Sequence, residues 1–135
     1  MRRLIFPALA LLTACAATPA QQSQMAERHA RDEAKIALAL KGLVPGKPAT
    51  CIDPRDATNV ERHGDTLLYK TGRRLIYRTD TGGGCFGLDR GDIIVTKSNT
   101  GQLCRGDFVH TVDPSSHMQS GACTFGDFVP YTRPK

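Results

Sequence analysis

Glu61, His63 and Asp65 stand at alternate positions of one five-residue segment. In an extended segment, side chains two apart point to the same face, so these three would form a carboxylate–imidazole–carboxylate row. Such a row can move protons near neutral pH or hold a metal ion. A solvated strand face beside a turn at Gly64 explains the same spacing and is the expectation here. His110 and Asp113 make a second candidate pair, followed by Pro114, Ser115 and Ser116 before His117. The proline and serines mark that segment as a loop, and no Gly-x-Ser-x-Gly elbow presents either serine as a nucleophile. A small periplasmic hydrolase or metal-dependent enzyme using His63/Asp65 or His110/Asp113 is therefore the alternative function. No residue is assigned a catalytic role, and no cofactor or metal is expected.

The thiols point elsewhere. Cys51, Cys85, Cys104 and Cys123 are spaced by 34, 19 and 19 residues, without Cys-x-x-Cys or a paired histidine motif. Zinc and haem attachment both lack their ligand spacing. Gly82, Gly83 and Gly84 follow a strand-like run, but no Lys-Ser/Thr and no helix start come after them. A turn or bulge is expected there, not a phosphate-binding loop.

The fifth cysteine, Cys15, has a different setting. Arg2 and Arg3, an apolar run from Leu4 to Leu12 and then small residues have the layout of a secretory signal peptide. The apolar run is too short to span a bilayer as a stable helix. Leu12-Thr13-Ala14-Cys15 resembles the lipobox of bacterial lipoproteins. That resemblance implies cleavage before Cys15, a diacylglycerol on its sulfur and acylation of the new amino terminus. Each acyl chain contributes about 0.8 kcal/mol per buried methylene, so several together anchor a protein stably. Ala16 stands where an Asp would signal inner-membrane retention. The resemblance thus implies the outer membrane, with the protein facing the periplasm.

Setting Cys15 aside leaves four cysteines in an oxidising compartment, and two disulfides are the default. Three pairings are open. The expected one joins the domain ends through Cys51–Cys123 and nests Cys85–Cys104 inside, each bond contributing about 3–4.5 kcal/mol.

Charge narrows the partners. The formal charge of +5 falls to +3 once Arg2 and Arg3 are removed, and from Thr50 onward 11 Lys and Arg face 10 Asp and Glu. The folded part is nearly neutral, so nucleic acid is not an expected partner. One local imbalance stands out: Lys70, Arg73, Arg74 and Arg78, with no acid between Thr66 and Thr79. This patch is a candidate contact for an anionic glycolipid or an acidic envelope protein. A charged edge that blocks sheet-to-sheet aggregation is the plainer account.

The elements that must position these groups divide the chain in three. Residues 1–14 are the lipoprotein signal peptide, and residues 15–49 a lipidated tether with a short helix and a Pro/Gly linker. Residues 50–135 form a β-rich periplasmic domain. Ala16 to Gln24 is expected to be flexible. Met25 to Lys41 is rich in helix formers, with Ile36, Leu40 and Leu43 on one stripe, and Gly42 and Pro45 end the helix. Gly42 to Thr50 reads as linker. Beyond Cys51, Thr66–Tyr69 and Leu75–Arg78 should form a hairpin. Asp92–Thr96, Phe108–Val112 and Phe125–Tyr131 should be further strands, with Pro130 at a sheet edge. A cysteine followed by Gly-Asp and an apolar strand start recurs at Cys85, Cys104 and Cys123. Two copies spell Arg-Gly-Asp (Arg90–Asp92 and Arg105–Asp107), and turn chemistry accounts for both. The expected fold is all-β, a small antiparallel sandwich or open barrel stapled by disulfides and preceded by a short helix.

Several motifs together resemble a family of small Gram-negative envelope lipoproteins classed as a domain of unknown function. They are the lipobox, Leu40 to Gly46, Cys51-Ile52, Cys85-Phe86-Gly87-Leu88, Leu103 to Asp107 and Cys123 to Phe128. The likeness covers most of the chain after Cys15. It implies an envelope location and this fold, and carries no catalytic residue with it. The expected role is non-catalytic binding or scaffolding by a lipid-anchored protein.

Overall fold

The structure, a computed structural model, describes residues 17–72 and 74–135. Cys15, the signal segment and Arg73 lie outside the described residues. One helix, α1 (Pro19–Ala39), precedes ten strands: β1 (Val44–Pro45), β2 (Cys51–Ile52), β3 (Asn59–His63), β4 (Thr66–Thr71) and β5 (Leu75–Asp80), then β6 (Ile93–Thr96), β7 (Leu103–Cys104), β8 (Phe108–Val112), β9 (Gln119–Thr124) and β10 (Val129–Thr132). All pairings are antiparallel, in three sheets ordered β1-β10-β5-β4-β3, β2-β7 and β6-β8-β9. The fold is the expected all-β arrangement.

Helix α1 begins six residues before the expected Met25 and absorbs most of the expected flexible tether. Thr18 caps it: its hydroxyl accepts the Gln21 N–H, while the Gln21 side chain accepts the Thr18 N–H at 2.9 Å. Pro19 at the first helical position completes a strong start signal. Twenty-one residues make a rod about 30 Å long. Only its second half is anchored. Ile36 and Leu40 pack on Leu68 and Ile76, with Leu43 and Tyr131 alongside, on one face of the five-stranded sheet. Residues 17–31 are exposed throughout.

The opposite face of that sheet covers the main core. Leu67 and Tyr69 meet Ile52, Leu103, Val109 and Cys123 from the two smaller sheets, and Phe125 and Phe128 fill the centre. Tyr69 packs edge-on against both phenylalanines, with ring centroids 6.3 and 6.0 Å away.

The expected linker is partly structural, because Val44–Pro45 forms β1 along β10 and Ala49 bridges Phe128. Consequently β10 is not a sheet edge. Its Pro130 carbonyl accepts the Gly46 N–H at 2.7 Å on the β1 side. In an antiparallel strand a residue's N and O point the same way, so the missing N–H faces the two-residue edge strand and spares the ladder to β5.

The disulfides correct the expected pairing of Cys51–Cys123 and Cys85–Cys104. The bonds are Cys51–Cys104 and Cys85–Cys123. The reason is strand register. β2 and β7 place Cys51 directly opposite Cys104, Cα atoms 4.0 Å apart. Cys123 faces the core from β9 and reaches Cys85 in the glycine loop. The two covalent loops interleave instead of nesting.

That loop is a docking turn. The Gly84 carbonyl accepts the Ala122 N–H at 3.0 Å, and a Cβ on Gly121 would collide with that carbonyl and sit 2.5 Å from the Phe86 nitrogen. The Arg-Gly-Asp copies are turns as well: Gly91 and Gly106 take left-handed φ of 89° and 87°. Asp107 accepts the Cys104 N–H at 2.8 Å. Asp92 is 1 % exposed and accepts the Ser120 hydroxyl, while Thr111 donates to the Phe86 carbonyl at 2.8 Å.

Candidate functional site

A cleft of about 760 Å³ opens between the middle of α1 and the sheet end beneath it. Strand alternation sets its floor. Glu61 and His63 of β3 lie on the helix-facing side, opposite Leu68 and Thr66 of β4, and Arg78 and Asp80 of β5 continue those rows. The helix contributes His29, Asp32 and Glu33, and the loop after Cys85 contributes Asp89 and Arg90.

Most of these charges are already spoken for. Lys70 Nζ sits 2.5 Å from Glu61 Oε1, and this bond holds the Glu61 carboxyl below the usual glutamate range, with His63 adding to the effect. Arg78 reaches Glu33 at 3.4 Å and Asp80 at 3.2 Å. Asp80 also accepts the Thr66 hydroxyl at 2.6 Å. Asp89 receives the Gly64 N–H at 3.0 Å and ties the β3–β4 turn to the loop beyond Cys85.

His63 and Glu61 do approach, as their spacing predicted, with Nε2 3.6 Å from Glu61 Oε2. That separation is beyond hydrogen-bond length, and Nε2 is closed off from solvent without a hydrogen bond. Asp65 is exposed, and the fold uses its backbone carbonyl, which accepts both N–H and hydroxyl of Thr81. The three-residue row therefore reduces to a Lys70–Glu61–His63 cluster.

His110 and Asp113 show no mutual contact. His110 lies on β8 between Val95 and Ala122, its Nδ1 buried and without a partner. Asp113 accepts the backbone N–H groups of Ser116 and Ser115, each at 2.8 Å, and these bonds lower its pKa. Its carboxylate is committed to the turn. Among the described residues no group of three His, Cys, Asp or Glu side chains is placed to hold a metal ion.

Two of the four patch cations have carboxylate partners. Lys70 is paired with Glu61, and Arg78 with Glu33 and Asp80. Arg74 is exposed, and Arg73 lies outside the described residues. The neutralising acids come from α1, from β3 and from Asp80 at the end of β5, all outside the acid-free window of Thr66 to Thr79.

No protein-family model, curated protein or solved structure matches the chain. No helix among the described residues is long and apolar enough to cross a membrane.

Sequence reasoning missed one surface. On β6-β8-β9, the register puts Ile93, Val95, Phe108 and His110 on a single face, away from Val109 and Cys123. Ile93, Val95 and Phe108 are 47 %, 44 % and 66 % exposed. The signal was present in unbroken apolar runs such as Ile93-Ile94-Val95, where a strand with one wet face would alternate with polar residues.

Proposed function

We propose that the protein is a lipid-anchored component of the cell envelope that faces the periplasm and acts by binding or scaffolding. The lipobox-like Leu12–Cys15 supports the anchor, and Ala16 supports sorting to the outer membrane. Two disulfides suit an oxidising compartment. Helix α1 starts four residues after Cys15, so the anchor would continue almost at once into a stiff rod.

The observation that carries the binding reading is the apolar outer face of Ile93, Val95 and Phe108. Exposed apolar side chains gathered on one sheet face, unlike ones scattered singly, are the kind of surface that partners cover. The Glu61–His63 cluster offers no comparable support for catalysis, because its imidazole points at a carboxylate that Lys70 already holds.

Two measurements test the proposal. Metabolic labelling with a palmitate analogue should mark the wild type and not Cys15→Ser; label persisting in that variant overturns the anchor. A photocross-linking residue replacing Val95 should give one discrete adduct in intact envelope, absent when the same residue replaces Arg74. Equal yields at both positions would remove the case for this face.

A further inference from the structure

A second cavity, about 360 Å³, lies where the two larger sheets fail to close on each other. β3 ends the five-stranded sheet and β6 ends the three-stranded one, and each is paired on one side alone. Val60 of β3, Tyr69 of β4, Ile94 of β6 and Leu103 of β7 give the cavity an apolar wall. Its volume falls in the range of about 300–1,000 Å³ typical of small-molecule sites, which pair such walls with a few placed polar groups.

Two of the polar groups lining it set its chemistry. Arg62 is the only charged side chain lining the cavity, and it has no carboxylate within ion-pair distance among the described residues. Its register opposite Leu67 turns it to the core side of β3 instead of the helix side. Tyr69 is 4 % exposed and lines the cavity, and its hydroxyl, unlike that of Thr79, is not sealed from solvent, so it opens on that space. Burial pushes the phenol well above its ordinary pKa, and the nearby Arg62 charge is the opposing influence. A phenol that stays protonated is a hydrogen-bond donor to whatever acceptor enters the cavity.

We propose that this seam binds a small anion with an apolar body, a carboxylate being the simplest case. Arg62 pairs with the negative group, the Tyr69 hydroxyl donates to it, and Val60, Ile94 and Leu103 receive the body. The assignment does not depend on whether Cys15 carries lipid.

The test uses the full chain with 4-fluorobenzoate and its neutral counterpart 4-fluorobenzamide, both followed by fluorine NMR. The benzoate should bind saturably in the millimolar range and more tightly than the benzamide. Arg62→Gln, at an exposed position that leaves folding intact, should weaken the benzoate about fivefold or more and leave the benzamide unchanged. Arg74→Gln, which removes an exposed cation elsewhere, should alter neither. The proposal is overturned by absence of saturable binding up to about 10 mM, or by equal affinity for the two probes. It is overturned equally if Arg62→Gln and Arg74→Gln act alike, which would leave Arg62 as a charge that merely guards a sheet edge.

Discussion

Replacing Cys51 and Cys104 together by alanine measures what the β2–β7 staple contributes. Both cysteines are half-buried, so the exchange removes little packing and reads mainly the loop constraint. The bond spans a sequence separation of 53. In the chain-entropy model a loop of that size restricts the unfolded ensemble by about 4 kcal/mol. The surviving Cys85–Cys123 bond adds a second route of equal length between the two positions, which narrows their spread and trims the figure without removing it. For a folded unit of roughly 120 residues, unfolding entropy near 2.1 cal/mol/K per residue converts 4 kcal/mol into a drop of about 15 °C in Tm. Thermal and urea denaturation followed by circular dichroism give both numbers, and non-reducing peptide mapping of the wild type checks the connectivity. With reductant present, the wild type should lose its advantage over the variant. A loss under about 1 kcal/mol would refute the loop argument. A map joining Cys51 to Cys85 or Cys123 would refute the register on which it rests.

Three other expectations are quickly tested. Phe128→Ala empties the centre of the core, where the ring is fully buried against Tyr69 and Phe125, and should cost about 3–5 kcal/mol by urea denaturation. Glu61 has a folded pKa below its unfolded one because Lys70 bonds it, so its contribution is complete above the ordinary glutamate value. That contribution is lost as pH falls through the lowered value. For a pair this exposed it amounts to at most about 1 kcal/mol, and Glu61→Gln should show a shallower fall in urea midpoint on acidification than the wild type. Thr18→Ala should cost the helix start about 1 kcal/mol. The effect should appear as faster hydrogen exchange at the Gln21 and Gln22 amides, with Tm unmoved, because that half of α1 packs against nothing.

The β4–β5 hairpin, β6 and β8 were legible because their residues are strongly β-forming and their turns carry glycine or polar residues. The start of α1 was not read from the sequence: Thr18-Pro19-x-Gln21 carries a capping signal, but the small polar composition around it reads as tether. β1, β2 and β7 are two residues long and exist only through their partners, so no local pattern announces them. The disulfide pairing failed for the same reason: which cysteines face each other is decided by β2–β7 register, information that spans half the chain. At the candidate site, the approach of His63 to Glu61 followed from alternation along β3. That Lys70 would occupy Glu61, and Glu33 reach Arg78, depended on how distant elements dock.

Both disulfide loops begin at or after Cys51, so α1 and β1 sit wholly outside the covalently closed part of the molecule. A pull applied at the amino-terminal end passes first through the helix, then through its Ile36 and Leu40 contacts and the two-residue pairing of β1 with β10. Those attachments are non-covalent, whereas the body behind them is cross-linked by both disulfides. Under load the protein should therefore pay out its leader first, lengthening by an uncoiled α1 while the core and its seam stay closed.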